Sequence, residues 1–192
     1  MTTLMLTPAD APPTEVTLSD DELDRLLDEA KAEFVDGQLK EKSTGFKSEA
    51  IAIELVIALG GFVRAAKLGR VFGPASPYRC FPSDPRQVRK PGVSFVAAGR
   101  ITPALWSMEY VPFAPDLAVD VASPTDSYEY LEQKVADYRS AGVRLIWVVN
   151  PATRSVLIRR LDRTCAELDE AGTLDGEDVV PGFTCPVAAL FV

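Results

Sequence analysis

The sequence predicts a mixed α/β domain in which helices flank a central β-sheet. Residues 116–122 alternate apolar and polar side chains as a strand does, residues 127–141 have helical spacing, and residues 144–150 are almost continuously apolar. Together these segments form a βαβ unit, whose two strands are parallel and joined by a right-handed crossover. Further strand-like segments earlier in the chain extend this pair into a sheet that helices can cover.

Length and composition are those of a globular protein. The chain has 192 residues, 47% hydrophobic and 25% charged, so we expect one domain over residues 18–192. Residues 1–17 are rich in proline and threonine and are predicted to be a disordered lead-in. No apolar run approaches the ~20 residues of a membrane span. The first residues lack the features of a secretory signal, and a cytoplasmic location is expected.

The chain contains no histidine, which restricts its chemistry. Ser-His-Asp and Cys-His nucleophile systems and the usual zinc sites all require that residue. Cys80, Cys165 and Cys185 are an odd number at wide spacings, so we interpret them as buried small side chains. Catalysis would therefore depend on carboxylates, lysine, tyrosine or a hard metal ion such as Mg²⁺.

The net charge of −8 argues against strong non-specific binding to nucleic acid. Residues 79–100 are an exception, because they contain five basic side chains and one acid. This run is either an exposed basic face or a local groove for phosphate.

The first half of the chain predicts two helices and a hairpin. Ser19 and Glu22 have the spacing of a capping box, so a helix should begin there. Residues 33–41 indicate a hairpin about the Asp36-Gly37 turn. A second helix is expected over residues 47–66, ended by Gly69. Glu49 and Glu54 lie in its first turns, where either could face a site, although solvated positions are the simpler interpretation.

The remaining elements are mostly strands. Strands are predicted at residues 71–72, 78–81 and 93–96, with a loop over residues 97–115. The helix at 127–141 should pack Tyr128 and Tyr138 in the core. After the strand at 144–150 we expect another at 155–161, followed by short strands and turns.

Two carboxylates share one face of the strand at 116–122. Leu117, Val119 and Val121 point one way, and Asp116 and Asp120 point the other. Burying a carboxylate costs several kcal/mol unless a cation accompanies it. Lys134 is one candidate cation and a bound metal is the other. An ion pair of purely structural importance between strand and helix remains an equal alternative.

Several motifs, in their order and spacing, resemble a known family. They are Glu33-Phe-Val-Asp-Gly-Gln-Leu, Ser43-Thr-Gly, Gly69-Arg-Val-Phe-Gly, Arg89-Lys-Pro-Gly-Val-Ser-Phe-Val, Pro115-Asp-Leu-Ala-Val-Asp-Val-Ala-Ser-Pro and Leu174-Asp-Gly. Together they resemble the Uma-type (Uma-two) restriction endonuclease family, a branch of the PD-(D/E)XK nuclease superfamily.

The resemblance implies an αβββαβ core that hydrolyses DNA phosphodiester bonds with Mg²⁺ or Mn²⁺. By position, Asp120 would be the catalytic acid and metal ligand, and Lys134 the catalytic lysine, because Ala122 occupies that lysine's usual place on the strand. Asp116 would support catalysis, although a turn residue is the simpler interpretation. Glu33 would assist the metal, or would be a solvated hairpin residue. DNA and a second copy of the chain are the expected partners.

Three positions depart from the family pattern, and the mildest is Asp120, a carboxylate one methylene shorter than the glutamate that the family has there. Gly92 stands where the family has a metal-ligand aspartate, and Ser48 stands where it often has histidine. Glycine has no side-chain oxygen, so the remaining acids would hold Mg²⁺ poorly. Two hypotheses follow: a metal-dependent endonuclease impaired at Gly92, or a catalytically degenerate module that binds nucleic acid or protein.

Overall fold

The computed structural model describes residues 19–29, 32–41 and 45–191. The predicted lead-in at 1–17 lies outside these residues. The α-helices are α1 (Asp20–Glu29), α2 (Phe46–Ala65) and α3 (Tyr128–Ser140). The strands are β1 (Ala32–Val35), β2 (Gln38–Glu41), β3 (Gly69–Phe72), β4 (Val93–Ala97), β5 (Leu117–Val121), β6 (Leu145–Asn150), β7 (Ser155–Arg160), β8 (Cys165–Leu168), β9 (Thr173–Asp175) and β10 (Thr184–Pro186).

Six strands form the central sheet, in the order β3-β4-β5-β6-β7-β8. β5 and β6 are parallel and the other neighbours are antiparallel, so the sheet is mixed. β1 pairs with β2 and β9 with β10, in two separate two-stranded sheets. In chain order α2, β3, β4, β5, α3 and β6 make the αβββαβ core, which confirms the expected fold.

The two faces of β5 meet different apolar clusters. Leu117 and Val119 pack in the cluster that includes Leu55 and Leu59 of α2. Ala118, on the opposite face, packs in the cluster that includes Val135 of α3. The alternation predicted for this strand is therefore confirmed, and it places helices on both sides of the sheet.

The capping box at the start of α1 is confirmed. The backbone N–H and the hydroxyl of Ser19 both donate to the Glu22 carboxylate, at 3.0 and 2.7 Å. The Glu22 N–H donates back to the Ser19 hydroxyl at 3.3 Å. These bonds satisfy donors that have no partner inside the helix.

The hairpin between β1 and β2 also forms as predicted. Asp36 and Gly37 have positive φ angles of 51° and 73°, as both central residues of a type I′ hairpin turn must have. Phe34 also pairs with Val88, so the hairpin is tied to the segment that precedes β4.

Gly69 does not end α2, contrary to the prediction. The helix ends at Ala65, where the N–H of Leu68 donates to the carbonyl of Val63 in a Schellman arrangement. Gly69 is instead the first residue of β3. A Cβ at this position would lie 2.1 Å from the carbonyl oxygen of Val96. Glycine is required here by the close approach of two strands.

Gly69→Ala is therefore expected to lower the free energy of unfolding by about 1–3 kcal/mol, the usual cost of overpacking. Gly61→Ala is the matched control, because its Cβ would meet nothing within 4 Å on α2. That change should raise the free energy of unfolding by about 0.5–1 kcal/mol. Urea unfolding of both variants checks the prediction, and equal effects would contradict it.

Three other local predictions are wrong. Residues 78–81 are not a strand, since only Tyr78 forms isolated bridges, to Arg89 and Val111. Tyr128 is 73% exposed rather than in the core, whereas Tyr138 is buried. Among the cysteines only Cys185 is buried. Periodicity alone does not distinguish a short apolar run that pairs with a sheet from one that bridges loops.

Among the described residues, no helix has the length and apolar character needed to cross a membrane.

Candidate active site

Asp120 lies on β5, near the middle of the central sheet. Its Oδ1 accepts a hydrogen bond from Lys134 Nζ at 2.9 Å and one from the Gly92 N–H at 3.2 Å. Its Oδ2 accepts one from the Tyr138 hydroxyl at 2.8 Å. The buried carboxylate thus has a partner at each oxygen, as the cost of its burial requires.

Tyr130, Lys134 and Tyr138 follow one another at intervals of four residues along α3, so all three lie on one face of the helix. The Ser127 hydroxyl caps this helix by accepting a hydrogen bond from the Tyr130 N–H at 3.1 Å. Lys134, only 4% exposed, lies between the two tyrosines and opposite Asp120. The structure therefore brings together the two residues expected to form the core of the site.

Glu33 of β1 is the second acid of this cluster and is completely buried. Its Oε2 accepts from Arg89 at 2.9 Å and from the Tyr130 hydroxyl at 2.8 Å. Its Oε1 accepts from the Lys90 N–H at 2.8 Å and lies 3.3 Å from Lys134 Nζ. The alternative interpretation of Glu33 as a solvated hairpin residue is wrong.

Arg89 joins Glu33 to a third acid, Asp137. The guanidinium is fully buried and donates to Asp137 Oδ2 through both Nε and Nη2. Gln87 also donates to Asp137 Oδ2, at 2.7 Å. The charge cluster therefore extends from the pocket to the next turn of α3.

Three carboxylates in this cluster surround two cations, and the donors keep their protons. Burial opposes the charge on Lys134, but the carboxylates of Asp120 and Glu33 outweigh this effect and raise the pKa of Lys134 above its ordinary value. Burial together with the nearby carboxylate of Asp120 raises the pKa of Tyr138 well above its ordinary value. Both groups are therefore hydrogen-bond donors at neutral pH, and neither is a general base.

The Asp120–Lys134 pair lies at a pocket of about 230 Å³ between α2, β5 and α3. The pocket wall is largely apolar, and it includes Ala52, Ile53, Val56, Val121 and Leu131. Gly92 and Tyr130 also line the pocket. Two further acids, Glu49 and Asp126, contribute to its lining. Asp126 Oδ2 accepts from the Ser123 N–H at 2.8 Å.

Asp116 lies apart from this pocket. It immediately precedes β5, about 13 Å along the strand from Asp120 at ~3.3 Å per residue. Its Oδ2 accepts from the Ala97 N–H at 2.8 Å, and its Oδ1 lies 2.9 Å from Arg100 Nη1. These contacts are those of a residue that joins β5 to β4 and to the following loop.

Ser48 lines the pocket from the first turn of α2. Its hydroxyl donates to the Ala122 carbonyl oxygen at 3.0 Å. The side chain therefore ties the start of α2 to the end of β5.

Gly92 lies directly against β5. Its N–H donates to Asp120 Oδ1, and an added Cβ would lie 3.2 Å from the Val119 carbonyl oxygen and 3.8 Å from Asp120 Cα. A side chain at position 92 would thus project beside Asp120 after a shift of a few tenths of an ångström. This is the location where the family resemblance places a second carboxylate.

The residues present do not fit the divalent ion that the family resemblance implies. Mg²⁺ requires near-octahedral oxygen ligands, yet both oxygens of Asp120 accept hydrogen bonds and Gly92 supplies no side chain. Both oxygens of Glu33 are likewise engaged. Across residues 19–29, 32–41 and 45–191, no three acidic or cysteine side chains form a group that could hold a metal ion.

An αβββαβ core with an acid on its central strand and a lysine on the next helix is the arrangement expected of a restriction-endonuclease-like protein. The model of the Uma2 family, described as "Putative restriction endonuclease", matches residues 20–188. The chain belongs to this family, as the motifs predicted.

Several solved structures are similar to this chain. One of them is a crystal structure from Anabaena variabilis, described as a putative nuclease belonging to DUF820, with a TM-score of 0.74 and 20% sequence identity. The similarity covers 88% of this chain and 96% of that chain. No curated protein matches the chain significantly.

Sequence reasoning missed part of the cluster. The sequence patterns do not single out Tyr130, Gln87 or Asp137, and they include Arg89 only in a basic run and at the start of a family motif. The spacing of Tyr130, Lys134 and Tyr138 along one helix face was the available signal. For Arg89 and Asp137, 48 residues apart in the chain, no local pattern indicates that they meet.

Proposed function

We propose that this protein is a DNA-directed member of the family, whose phosphodiester-cleavage centre lies at Asp120 and Lys134 and is impaired at Gly92. The observation that carries the proposal is the position of Gly92. It lies in contact with Asp120, at the lining of a pocket that also contains Lys134. The chain has an acid on the central strand and a lysine on the next helix, and Gly92 lies directly beside the acid.

The chemistry that the native residues support is binding and charge stabilisation. Lys134 is held in its protonated form, so it can present positive charge to a phosphate or to a developing oxyanion. Asp120 accepts hydrogen bonds from both Lys134 and Tyr138, and so holds the ammonium and its helix in place. Activation of a water molecule would need a further ligand or base, and Gly92 supplies none.

Gly92→Asp is expected to create nuclease activity. Nicking of supercoiled plasmid should increase at least about 100-fold over the native protein in the presence of Mg²⁺ or Mn²⁺, since losing one key electrostatic group typically costs a factor of 10²–10³. Adding Asp120→Ala to that variant should abolish the gain. The same metal ions should also raise the melting temperature of Gly92→Asp but not of the native protein.

Gly92→Asn is the matched control, because it adds similar volume without charge and should not nick. Nicking by the native protein at the rate of Gly92→Asp would show that another residue replaces the missing ligand. If none of the variants nicks, the assignment of the cleavage centre is wrong.

The second candidate function is a binding module on the same fold. It is favoured by the complete pairing of the buried acids, because Asp120 and Glu33 have internal partners without any ion. Such a module would bind nucleic acid or protein, as a monomer or a homodimer. Inactivity of Gly92→Asp combined with stable DNA binding would support it.

A further inference from the structure

An open groove outside the candidate active site carries three basic residues. Arg64 near the end of α2, Lys67 in the following turn and Arg70 on β3 line a concavity of about 420 Å³. All three side chains are exposed. Gly69, Ala98 and Ile101 complete the lining, which therefore contains no acid.

The groove residues belong to a stretch of the sequence that is rich in basic residues and poor in acids. Residues 55–108 contain eight lysines and arginines and one acid, in a chain whose net charge is −8. Five of the eight have partners within the protein: Arg79 with Asp24, Arg86 with Asp20, Arg89 with Glu33 and Asp137, Lys90 with the Leu27 carbonyl, and Arg100 with Asp116. Four of the five cations in the basic run at 79–100 are thus paired with carboxylates and Lys90 binds a carbonyl, so this run does not form an open phosphate groove.

The other three cations are the residues of the groove. Arg64, Lys67 and Arg70 form no ion pair with any residue that the structure describes. Mutual repulsion of three like charges is unfavourable unless an anion accompanies them. The groove is therefore suited to an anionic ligand with several charges.

The helix dipole explains only part of this arrangement. A cation at the C-terminus of a helix is stabilising, which accounts for Arg64. Lys67 has a φ of 57° at the position after the helix where glycine is usual, so the chain has lysine where glycine would be less strained. Arg70 is on a strand, where the helix dipole gives no reason for a cation.

The groove lies close to the candidate active site. Val56 lines the pocket and Arg64 lines the groove, and Arg64 is eight residues further along the helix, or about 12 Å at ~1.5 Å per residue. Gly73 of the pocket and Arg70 of the groove are three residues apart, or about 10 Å on an extended chain. These distances correspond to about three nucleotides along one DNA strand, at ~3.4 Å per nucleotide.

We infer that Arg64, Lys67 and Arg70 form a binding site for the phosphodiester backbone of nucleic acid, which anchors a DNA segment beside the pocket. The inference deepens the proposed function and rests on it for the choice of DNA as the polyanion. Contacts to phosphate position a nucleic acid and do not read its sequence. This agrees with a groove that has cationic side chains on an apolar floor.

The test measures binding of the protein to a fluorescent 20-base-pair DNA duplex by fluorescence anisotropy at several salt concentrations. The variant is Arg64→Gln with Arg70→Gln. The control is Arg25→Gln with Arg163→Gln, which removes the same charge from exposed positions elsewhere. We expect the groove variant to bind at least about tenfold more weakly, with a log–log salt slope smaller by about two, and the control to bind within about twofold of the native protein.

The inference would be overturned if the groove variant bound DNA with the affinity and salt slope of the native protein. It would also be overturned if the native protein did not bind DNA, even if it bound vesicles containing phosphatidylserine. Failure of the proposed function is distinguishable. Loss of binding in the groove variant, without nicking by Gly92→Asp, would keep the groove and reject the cleavage centre. If Gly92→Asp nicks DNA and adding the two groove substitutions does not change that nicking, the cleavage centre would be kept and the groove rejected.

Discussion

Arg89→Met is expected to lower the free energy of unfolding by about 3–5 kcal/mol, the usual cost of removing one partner from a buried ion pair. Arg89 is fully buried and donates to both Glu33 and Asp137. Methionine fills much of the same volume but leaves two buried carboxylates without their shared cation. The hairpin, the segment before β4 and α3 would then lose their common connection.

The control for this prediction is Arg144→Met. Arg144 pairs with Asp178 at the surface, where its side chain is 45% exposed, so its loss should cost no more than about 1 kcal/mol. Urea unfolding at pH 7 measures both variants. Similar costs for the two would mean that the buried network does not hold these elements together.

Lys134→Met should have a comparable effect, also about 3–5 kcal/mol. The variant leaves Asp120 and Glu33 buried near each other without the ammonium that lies between them. Asp120→Asn in the same background removes one of these charges and should recover at least about 1 kcal/mol, because neighbouring residues are coupled rather than additive. A double-mutant cycle by urea unfolding measures the coupling, and strictly additive effects would contradict it.

The pH dependence of this effect has a definite sign. The Asp120 and Glu33 carboxylates outweigh burial and raise the folded-state pKa of Lys134 above its ordinary value of 10.5. The stability that this shift contributes is fully present below about pH 10.5, and it is lost as pH rises through the folded-state value. The difference in stability between the native protein and Lys134→Met should therefore not change between pH 6 and 9 on account of this lysine.

Short-range patterns predicted much of the fold. The capping box at Ser19, the Asp36-Gly37 turn and the alternation around Val119 each depend on residues within a few positions of one another, and all three form as expected. The ends of α2 and α3 fall within one residue of their predicted positions. Local backbone preferences and the burial of one face are sufficient for such elements.

Contacts between distant segments were not predictable in the same way. Tyr78 was expected in a strand, yet its partners Arg89 and Val111 are on separate loops. Tyr128 has the spacing of a core residue but lies where α3 has no neighbour covering it. Gly69 looked like a helix terminator, whereas it is required by the approach of Val96 from the neighbouring strand.

For the candidate site, the sequence by itself determined that the acid on β5 needs a cation and that Lys134 is available to it. Burial of Asp120 on an apolar strand leaves few other solutions. Only the tertiary structure decided which further charged groups join this pair, because Glu33, Arg89 and Asp137 come from β1, from the loop before β4 and from α3. It also separated Asp116 from the site, because residues on one face of a strand can have different neighbours at its two ends.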